Sequence, residues 1–251
     1  MNSTAPDRNG SLAGRQAVVT GAGRGIGRAI ALGLAQAGAR VIAVARTQSD
    51  IDEVVQLAGG NVVGWCEDVT TDAFYQRLEA LPALDILVTN AGTNRPLRIE
   101  NVDEASLDAM VALNIRAVFR TSQSGVRVML RNRQRGAIVH ISSQMGHVGA
   151  PLRTVYCMTK HAVEGLSKAM AVELGPSGIR VNSVAPTFIE TELTRSMLEE
   201  PDFRKSVLDS IPLGRLGRPD DVVGAVLFLA SDAAGMISGD SLKVDGGWTA
   251  R

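Results

Sequence analysis

Residues 20–27 have the sequence TGAGRGIG, in which the glycines follow the spacing G-x-x-x-G-x-G. A Val-rich run at 16–20 precedes this stretch, and segment 25–38 after it has helical spacing. Glycines at a strand-to-helix turn let the backbone approach a pyrophosphate, and free N–H groups at the helix start attract the anion. The stretch predicts a dinucleotide-binding turn, although a tight turn without ligand has the same pattern. The candidate contacts are Gly21, Arg24, Gly25, Ile26 and Gly27.

Short Val- and Ile-rich runs alternate with helical segments along the whole chain. The runs lie at 16–20, 40–45, 61–66, 84–89, 136–142, 179–185 and 241–244. The clear helical segments are 25–38, 103–130, 154–175 and 219–231. Wholly apolar runs are typical of strands buried on both faces of a parallel sheet, and their alternation with helices indicates right-handed βαβ units. We predict an α/β fold, with one doubly wound Rossmann-type domain and a parallel sheet of about seven strands flanked by helices. It covers 12–251, after a flexible tail at 1–11.

Composition narrows the functional classes. The 251 residues include 26 basic and 26 acidic side chains, so the chain lacks the positive field that nucleic-acid and membrane-surface binders use. No apolar run reaches the roughly 18–20 residues of a membrane span. Cys66 and Cys157 are too few for a disulfide framework, which favours a reducing compartment. We expect a cytoplasmic protein that binds no nucleic acid, membrane or metal.

The end of the second predicted strand bears on the choice of nucleotide. NAD-binding proteins usually have an acidic residue there, which accepts from the ribose 2′-OH. This chain has Arg46 instead, and Arg46 with Arg24 has the charge to bind a 2′-phosphate. We favour NADP(H) and leave NAD(H) open, because Arg46 has the alternative of being a solvated loop residue. Asp68 and Val69 are expected to bracket the adenine, and Asp68 is also a candidate N-cap of the next helix.

Several motifs together carry a family resemblance. TGAGRGIG, the TNAG stretch at 89–92, Asn114, Ser143, Tyr156 and Lys160 make the chain resemble the short-chain dehydrogenase/reductase family from Leu12 to the C-terminus. The resemblance implies hydride transfer between nicotinamide and a carbonyl or alcohol carbon. It assigns Ser143 to orienting the substrate oxygen and Tyr156 to acid/base catalysis. It makes Lys160 the activator and ribose anchor, and Asn114 the anchor of a water relay.

The same resemblance implies further cofactor contacts in two loops. They are Asn90, Ala91, Gly92, Pro186, Ile189 and Thr191. The sequence departs from the family at Thr89, where Asn is frequent, and at Thr187, where the nicotinamide loop usually has Gly. These departures put the turn at Thr187 in question, and we expect the fold around Thr89 to be retained.

Elementary electrostatics supports the pairing of Tyr156 with Lys160. A free tyrosine has a pKa of about 10, and lowering it by about three pH units takes roughly 4 kcal/mol. One ammonium about 4 Å away, at an effective dielectric near 20, supplies roughly that amount. We therefore expect Lys160, one helical turn on, to lower the pKa of Tyr156. Taken alone, the pair also fits a solvated helix surface.

The substrate side of the site is less defined by sequence. Arg95, His147 and Arg153 are candidates for the mouth of the pocket, and the resemblance makes Gln144 a wall residue. A cationic mouth suits a carboxylated substrate such as a keto sugar acid, although each arginine also fits a solvated loop or subunit contact. Segment 188–212 is predicted to be a mobile helical lid.

The resulting hypothesis is an NADP(H)-preferring oxidoreductase acting on a sugar-derived or carboxylated small molecule. The alternative is a 3-oxoacyl-[acyl-carrier-protein] reductase, with the arginine-rich segment 127–135 docking the acidic carrier. Ser177 stands against this alternative, because those reductases tend to have a basic residue there. A non-enzymatic alternative is a nucleotide-sensing Rossmann protein. The family resemblance also implies a homotetramer, joined through 103–132 with 154–175 and through 219–231 with the last strand.

Overall fold

The computed structural model describes residues 11–250, without the side chains of Leu193 and Ser196. Residues 1–10 of the predicted tail lie outside this range. The fold is built on one parallel sheet in the order β3-β2-β1-β4-β5-β6-β7. This confirms the predicted seven-stranded α/β architecture. The strands are β1 Gln16–Thr20, β2 Arg40–Ala45, β3 Val62–Cys66, β4 Ile86–Thr89, β5 Gly136–Ile141, β6 Ile179–Pro186 and β7 Ser241–Val244.

Helices connect successive strands on both faces of the sheet. They are α1 Gly25–Gln36, α2 Gln48–Ala58, α3 Asp72–Glu79, α4 Glu104–Val111, α5 Val118–Arg131, α6 Thr154–Leu174, α7 Glu192–Leu198, α8 Pro201–Ser210 and α9 Pro219–Ala230. The sequence analysis did not single out α2 and α3, which are short and polar. It also took 103–130 as one helix, whereas a π-helical segment, Ala112–Ala117, separates α4 from α5.

Alternate residues of each strand pack into two different cores. In β1, Ala17 and Val19 contact the core beneath α1, α2 and α9, whereas Val18 contacts the core beneath α3, α5 and α6. All three side chains are fully buried. Because side chains alternate across a strand, only a sheet covered on both faces buries such a run completely.

The strand order places the functional loops together. The chain moves outward through β2 and β3 on one side of β1 and then returns to β4 on the other. Ligands of open α/β sheets bind at this reversal, outside the carboxyl ends of the strands. The glycine turn follows β1, the TNAG turn ends β4, and Ser143 follows β5.

Segment 188–212 folds as two short helices, α7 and α8, over this edge. Four buried side chains form a separate small core beneath them: Leu198, Val207, Ile211 and Leu216. Phe188 extends that core, with its ring 5.6 Å from the Phe203 ring and 5.8 Å from the Trp248 ring. The segment is therefore a compact unit with its own apolar contacts.

Two further findings concern residues 11–250. No helix within that range has the length and apolar character needed to cross a bilayer. The same residues contain no group of three or more His, Cys, Asp or Glu side chains arranged to hold a metal ion.

Candidate active site

An open cavity of about 640 Å³ runs along the carboxyl edge of the sheet, from the glycine turn to α6. Every residue predicted to contact the cofactor lines this cavity, and Ser143 lines it as well. Asn114 is not in the lining. One continuous groove thus joins the predicted nucleotide site to the predicted catalytic residues.

The glycine turn is shaped for close approach by a ligand. Gly25 has φ +56°, a conformation that residues with a Cβ rarely adopt. A Cβ on Gly27 would overlap the carbonyl oxygen of Gly21. Arg24 is the N-cap residue of α1, and its side chain makes no capping hydrogen bond. The first amides of α1 are thus left without a side-chain cap, as an anion-binding helix start requires.

Asn90 holds the glycine turn against the end of β4. Its Nδ2 donates to the carbonyl oxygens of Thr20 (3.1 Å) and Gly21 (3.0 Å). The backbone amides of Asn90 and Ala91 both donate to Thr20 Oγ1. In the same turn, Thr89 is buried and its hydroxyl pairs with His140 Nδ1 at 2.7 Å. The chain thus keeps the turn despite the threonine at position 89.

Two unpaired cations stand at the nucleotide end of the cavity. Arg24 and Arg46 line it, and both are exposed. Within residues 11–250, neither forms an ion pair. Asp50 and Glu67 also line this end, and the sequence analysis missed both. Glu67 forms a salt bridge with Arg77 at 2.7 Å. Of the two carboxylates, Asp50 is the one without that salt bridge, and it is four residues from Arg46 in the sequence.

Asp68 has a local structural role. Its Oδ1 accepts from the Thr70 amide (2.9 Å) and the Thr70 hydroxyl (2.7 Å). The N-cap of α3 is Thr71, whose side chain accepts from the Phe74 amide. The proposed capping role of Asp68 was therefore wrong, because the helix begins three residues later than that role requires. Asp68 and Val69 both remain in the cavity lining.

Ser143, Tyr156 and Lys160 meet at the other end of the cavity. Ser143 caps a short turn after β5, where its Oγ accepts from the Met145 amide at 3.1 Å. Tyr156 and Lys160 lie one turn apart on α6, and the Ser143 side chain is close enough to the Tyr156 phenol to lower its pKa. Lys160 Nζ donates to the carbonyl oxygen of Ile141 at 2.9 Å. The end of β5 therefore holds both partners of Tyr156.

The pKa of Tyr156 departs from the prediction. Burial raises it to about 12, while the nearby Ser143 hydroxyl and the charge of Arg153 act in the opposite direction. Burial also lowers the pKa of Lys160 to about 8, partly opposed by Glu164. The expected lowering of the Tyr156 pKa by Lys160 was wrong for the protein alone. Lys160 Nζ is 5.6 Å from the Tyr156 ring centroid, and desolvation outweighs the interaction.

Asn114 lies behind the cavity wall, in the π-helical segment. Its Oδ1 accepts from the Thr93 amide (2.9 Å), and its Nδ2 donates to the Thr93 carbonyl oxygen (2.8 Å) and to Thr159 Oγ1 (3.2 Å). The side chain is buried and joins the TNAG loop to α6. Its Nδ2 already donates to two protein oxygens, and its role as the anchor of a water relay stays a prediction.

Only two of the four predicted substrate residues reach the cavity. Gln144 and Arg153 are buried and line it. Arg95 is exposed outside the lining, with Nη1 3.5 Å from Ser106 Oγ. His147 pairs with Ser241 Oγ at 2.8 Å beside Glu164, also outside the lining. Arg95 and His147 were assigned to the pocket because they are close in sequence to the TNAG turn and to Ser143. Both side chains lie outside the cavity lining.

Further wall residues were not assigned to the site from the sequence, although Thr187 was noted as a departure from the family and Phe188 and Met197 lie in the predicted lid. Asn94, Pro96, Thr187, Phe188 and Met197 line the cavity. Thr187 needs no left-handed backbone, since Arg133 and Leu152 are the only non-glycine residues with positive φ between positions 11 and 250. The turn in the nicotinamide loop therefore accepts threonine. Loop positions of this kind carry no periodicity that would mark them in a sequence.

The arginine-rich segment at 127–135 is engaged locally. Arg127 pairs with Glu79 at 2.8 Å. Arg131 donates to the carbonyl oxygens of Glu79 and Leu81, at 2.9 and 2.7 Å. These contacts join the end of α5 to the end of α3 and the residues that follow it.

Comparison with known proteins agrees with this architecture. A family model described as enoyl-(acyl carrier protein) reductase matches residues 21–249. L-xylulose reductase from Bos taurus is 43% identical over 240 residues, covering 95% of this chain and 98% of that protein. A 3-oxoacyl-[acyl-carrier-protein] reductase from Vibrio cholerae is 38% identical over 242 residues, covering 94% of this chain and 98% of that protein.

A solved structure is similar over the same extent. The gluconate 5-dehydrogenase from Burkholderia cenocepacia J2315, in complex with NADP and tartrate, aligns with a TM-score of 0.91 at 33% identity. The alignment covers 96% of this chain and 98% of that one. The similarity therefore extends over nearly the whole chain.

Proposed function

The chain belongs to the short-chain dehydrogenase/reductase family, and we propose that it is an NADP(H)-preferring oxidoreductase of a sugar-derived or carboxylated alcohol or ketone. As a member of this family it transfers a hydride between a nicotinamide and a carbonyl or secondary-alcohol carbon. The observation that carries the proposal is the single cavity with the glycine turn at one end and Ser143, Tyr156 and Lys160 at the other.

The glycine turn fits a dinucleotide. The close approach at Gly27 and the uncapped start of α1 suit a pyrophosphate, and Arg24 with Arg46 suits a 2′-phosphate. When bound, the nicotinamide supplies or accepts the hydride. We assign the ribose contact to Lys160 and the carboxamide contacts to the loop that contains Pro186, Ile189 and Thr191.

The chain's own residues handle the proton and the substrate oxygen. We assign Ser143 to donating a hydrogen bond to that oxygen, where negative charge develops during reduction. Tyr156 then gives its phenolic proton to the oxygen in reduction and takes it back in oxidation. A pKa of about 12 keeps the phenol protonated at neutral pH, the form that reduction requires. Asn114 and Lys160 are proposed to lie on the route that returns the proton.

Two similar proteins support the nucleotide and the substrate class. The gluconate 5-dehydrogenase structure contains NADP and tartrate, and the bovine relative is a reductase of the ketose L-xylulose. Both names describe small polyhydroxylated compounds. We extend that class to this chain because the cavity wall includes polar side chains that can bind hydroxyl groups, among them Asn94, Gln144 and Thr187.

The test is a steady-state assay of the purified protein with NADPH and with NADH, against ketoses and keto sugar acids. We expect turnover with a sugar-derived ketone and a higher kcat/KM for NADPH than for NADH. Turnover that requires NADH would refute the NADPH preference. Failure to turn over any sugar-derived carbonyl, with NADPH still bound, would refute the substrate class.

The same assay separates the competing functions. A 3-oxoacyl-thioester substrate tests whether the chain is an acyl-carrier-protein reductase. The similarity to the Vibrio cholerae 3-oxoacyl-[acyl-carrier-protein] reductase is the reason to test it. We expect a lower kcat/KM for the thioester than for the sugar-derived ketone, because Arg127 and Arg131 are engaged with α3. A nucleotide sensor would bind NADPH without turning over any carbonyl compound.

We also propose that the protein is a cytoplasmic homotetramer. Support comes from large apolar side chains that remain exposed on three helices: Phe119 on α5, Met158 and Val172 on α6, and Phe228 on α9. These three helices are the ones through which the family resemblance implies assembly. Both cysteines are free thiols, in keeping with a reducing compartment. Sedimentation showing only a monomer would refute the assembly, and cell fractionation tests the location.

A further inference from the structure

Unpaired buried polar atoms concentrate in the cavity. In residues 11–250, seven buried side-chain nitrogen or oxygen atoms lack a hydrogen-bond partner. Five of these belong to residues of the cavity lining: Asn94 Oδ1, Ser142 Oγ, Gln144 Oε1, Arg153 Nε and Thr187 Oγ1. Buried polar groups are normally paired, because leaving one without a partner costs free energy. The concentration points to a ligand rich in hydrogen-bonding groups.

Arg153 is the one cation among the five. It is only 6% exposed and is the N-cap residue of α6, three positions before Tyr156. Its Nη1 donates to the Leu152 carbonyl oxygen at 3.3 Å, and its Nη2 donates to Met197 Sδ at 3.5 Å. These are weak partners for a guanidinium, since a thioether is a poor acceptor.

No carboxylate of residues 11–250 forms an ion pair with Arg153. Glu192, on α7, also lines the cavity, but it is exposed. By contrast, the partly buried Arg180 donates to two backbone carbonyl oxygens, those of Leu229 at 2.7 Å and Ser231 at 3.0 Å. A buried charge without a counter-ion is costly, and a fold that retains one usually pairs it with a ligand.

We propose that the substrate carries a carboxylate and that Arg153 binds it. The inference rests on the proposed function and sharpens it from sugar-derived compounds in general to sugar acids. A guanidinium binds a planar carboxylate through two parallel hydrogen bonds, and Arg153 has its Nε free to supply one of them. Asn94, Gln144 and Thr187 then bind the hydroxyl groups along the carbon chain. The substrate is thereby fixed at its charged end, one helical turn from the acid/base residue.

Binding at Arg153 also involves the lid. Met197 lies on α7, so the Nη2 contact ties the guanidinium to the segment that covers the cavity. A carboxylate that takes over Nη2 replaces this weak contact with a charge-assisted one. We therefore expect a bound sugar acid, but not its neutral counterpart, to change the packing of α7.

The test compares matched substrate pairs that differ only in the charged group. The pairs are 5-keto-D-gluconate with L-sorbose and 2-keto-D-gluconate with D-fructose, assayed with NADPH. In each pair a hydroxymethyl group replaces the carboxylate. We expect the wild-type enzyme to have a kcat/KM for at least one acid that is about 10- to 100-fold that for its neutral partner.

Arg153→Gln is the informative variant, and Arg95→Gln is its matched control. Both substitutions remove one positive charge, but Arg95 is exposed outside the cavity lining whereas Arg153 is buried in it. We expect Arg153→Gln to raise KM for the acid about 10- to 100-fold. KM for the neutral partner should stay within about threefold of the wild-type value. Arg95→Gln should leave both unchanged. Unaltered NADPH binding shows that the variant is folded.

The outcomes separate the two proposals. A higher kcat/KM for the neutral partner, or equal losses on both partners in Arg153→Gln, overturns the carboxylate inference and leaves the proposed function intact. No turnover of any pair, by a protein that binds NADPH, overturns both.

Discussion

Lys160 donates from Nζ to the carbonyl oxygen of Ile141 over 2.9 Å, while the same Nζ lies 5.6 Å from the centroid of the Tyr156 ring. The ammonium is thus anchored at the end of β5 instead of being directed at the phenol. Burial has the largest effect on the pKa of each group: it raises the pKa of Tyr156 and lowers the pKa of Lys160. Full activation of Tyr156 in the oxidative direction therefore needs a further positive charge, which an oxidised nicotinamide carries when bound.

Gly27→Ala should strongly weaken NADPH binding. The added Cβ overlaps the Gly21 carbonyl oxygen, so the turn must open by a distance that the phosphate contacts do not tolerate. We expect the Kd for NADPH to rise at least about tenfold, with a loss of stability of about 1–3 kcal/mol. The matched control is Gly165→Ala on α6, where nothing lies within 4 Å of the new Cβ. The control should bind NADPH normally, and normal binding by Gly27→Ala would contradict the assignment.

Arg46→Ala should reduce the preference for NADPH over NADH. Arg46 is exposed at the nucleotide end of the cavity and has no ion-pair partner of its own there, so its removal leaves the fold intact. We expect KM for NADPH to rise about 10- to 100-fold, because a charge-assisted contact to phosphate is lost. KM for NADH should not change.

Arg28→Ala is the control for that experiment. Arg28 carries the same charge on α1 but pairs with Glu53 and lies outside the cavity lining. An equal loss for both nucleotides in Arg46→Ala would show that the residue does not distinguish them.

Acid should destabilise the protein through His140. Burial lowers the pKa of this fully buried histidine to about 4, from an ordinary value of 6.5. Between these values the unfolded chain binds a proton that the folded chain does not, so stability is lost as the pH falls from 6.5 to 4. The full effect is about 3 kcal/mol.

Urea unfolding across this pH range measures the effect against His140→Asn. The asparagine keeps an acceptor for the Thr89 hydroxyl and does not titrate. We expect the loss of stability below pH 6.5 to be smaller in the variant by roughly 3 kcal/mol. Identical pH dependence in the two proteins would exclude His140 as the source.

Phe203→Ala should weaken the lid without affecting the nucleotide site. Phe203 packs edge-on against Phe188, which in turn contacts Trp248. An aromatic pair of this kind contributes about 0.5–1.5 kcal/mol beyond its buried area. We expect a higher KM for the carbonyl substrate, an unchanged Kd for NADPH and an altered Trp248 emission. Leu213→Ala, at a side chain that is 70% exposed, is the control and should change none of the three.

Periodicity predicted the sheet, and the glycine motif together with the family resemblance predicted many of the residues that line the cavity. Strands buried on both faces are visible as unbroken apolar runs, and TGAGRGIG is visible because a close approach demands glycine. The direction of a loop side chain has no such signal. Arg95 and Arg153 both looked like cations at the pocket mouth, yet one faces solvent and the other is buried against the substrate space. The Tyr156 pKa was misjudged for a related reason, since sequence spacing shows neither desolvation nor the Ile141 carbonyl that holds Lys160.

Turnover by Tyr156→Phe tests the central claim most directly, provided that NADPH binding is measured in the same preparation by Trp248 or Trp65 fluorescence. Removal of the hydroxyl deletes the proton donor and leaves the cavity otherwise unchanged. We predict that kcat falls by a factor of about 10²–10⁴ while the Kd for NADPH stays within about threefold of the wild-type value. If this variant turned over at the wild-type rate, the account would be contradicted, because the proton would then come from another group.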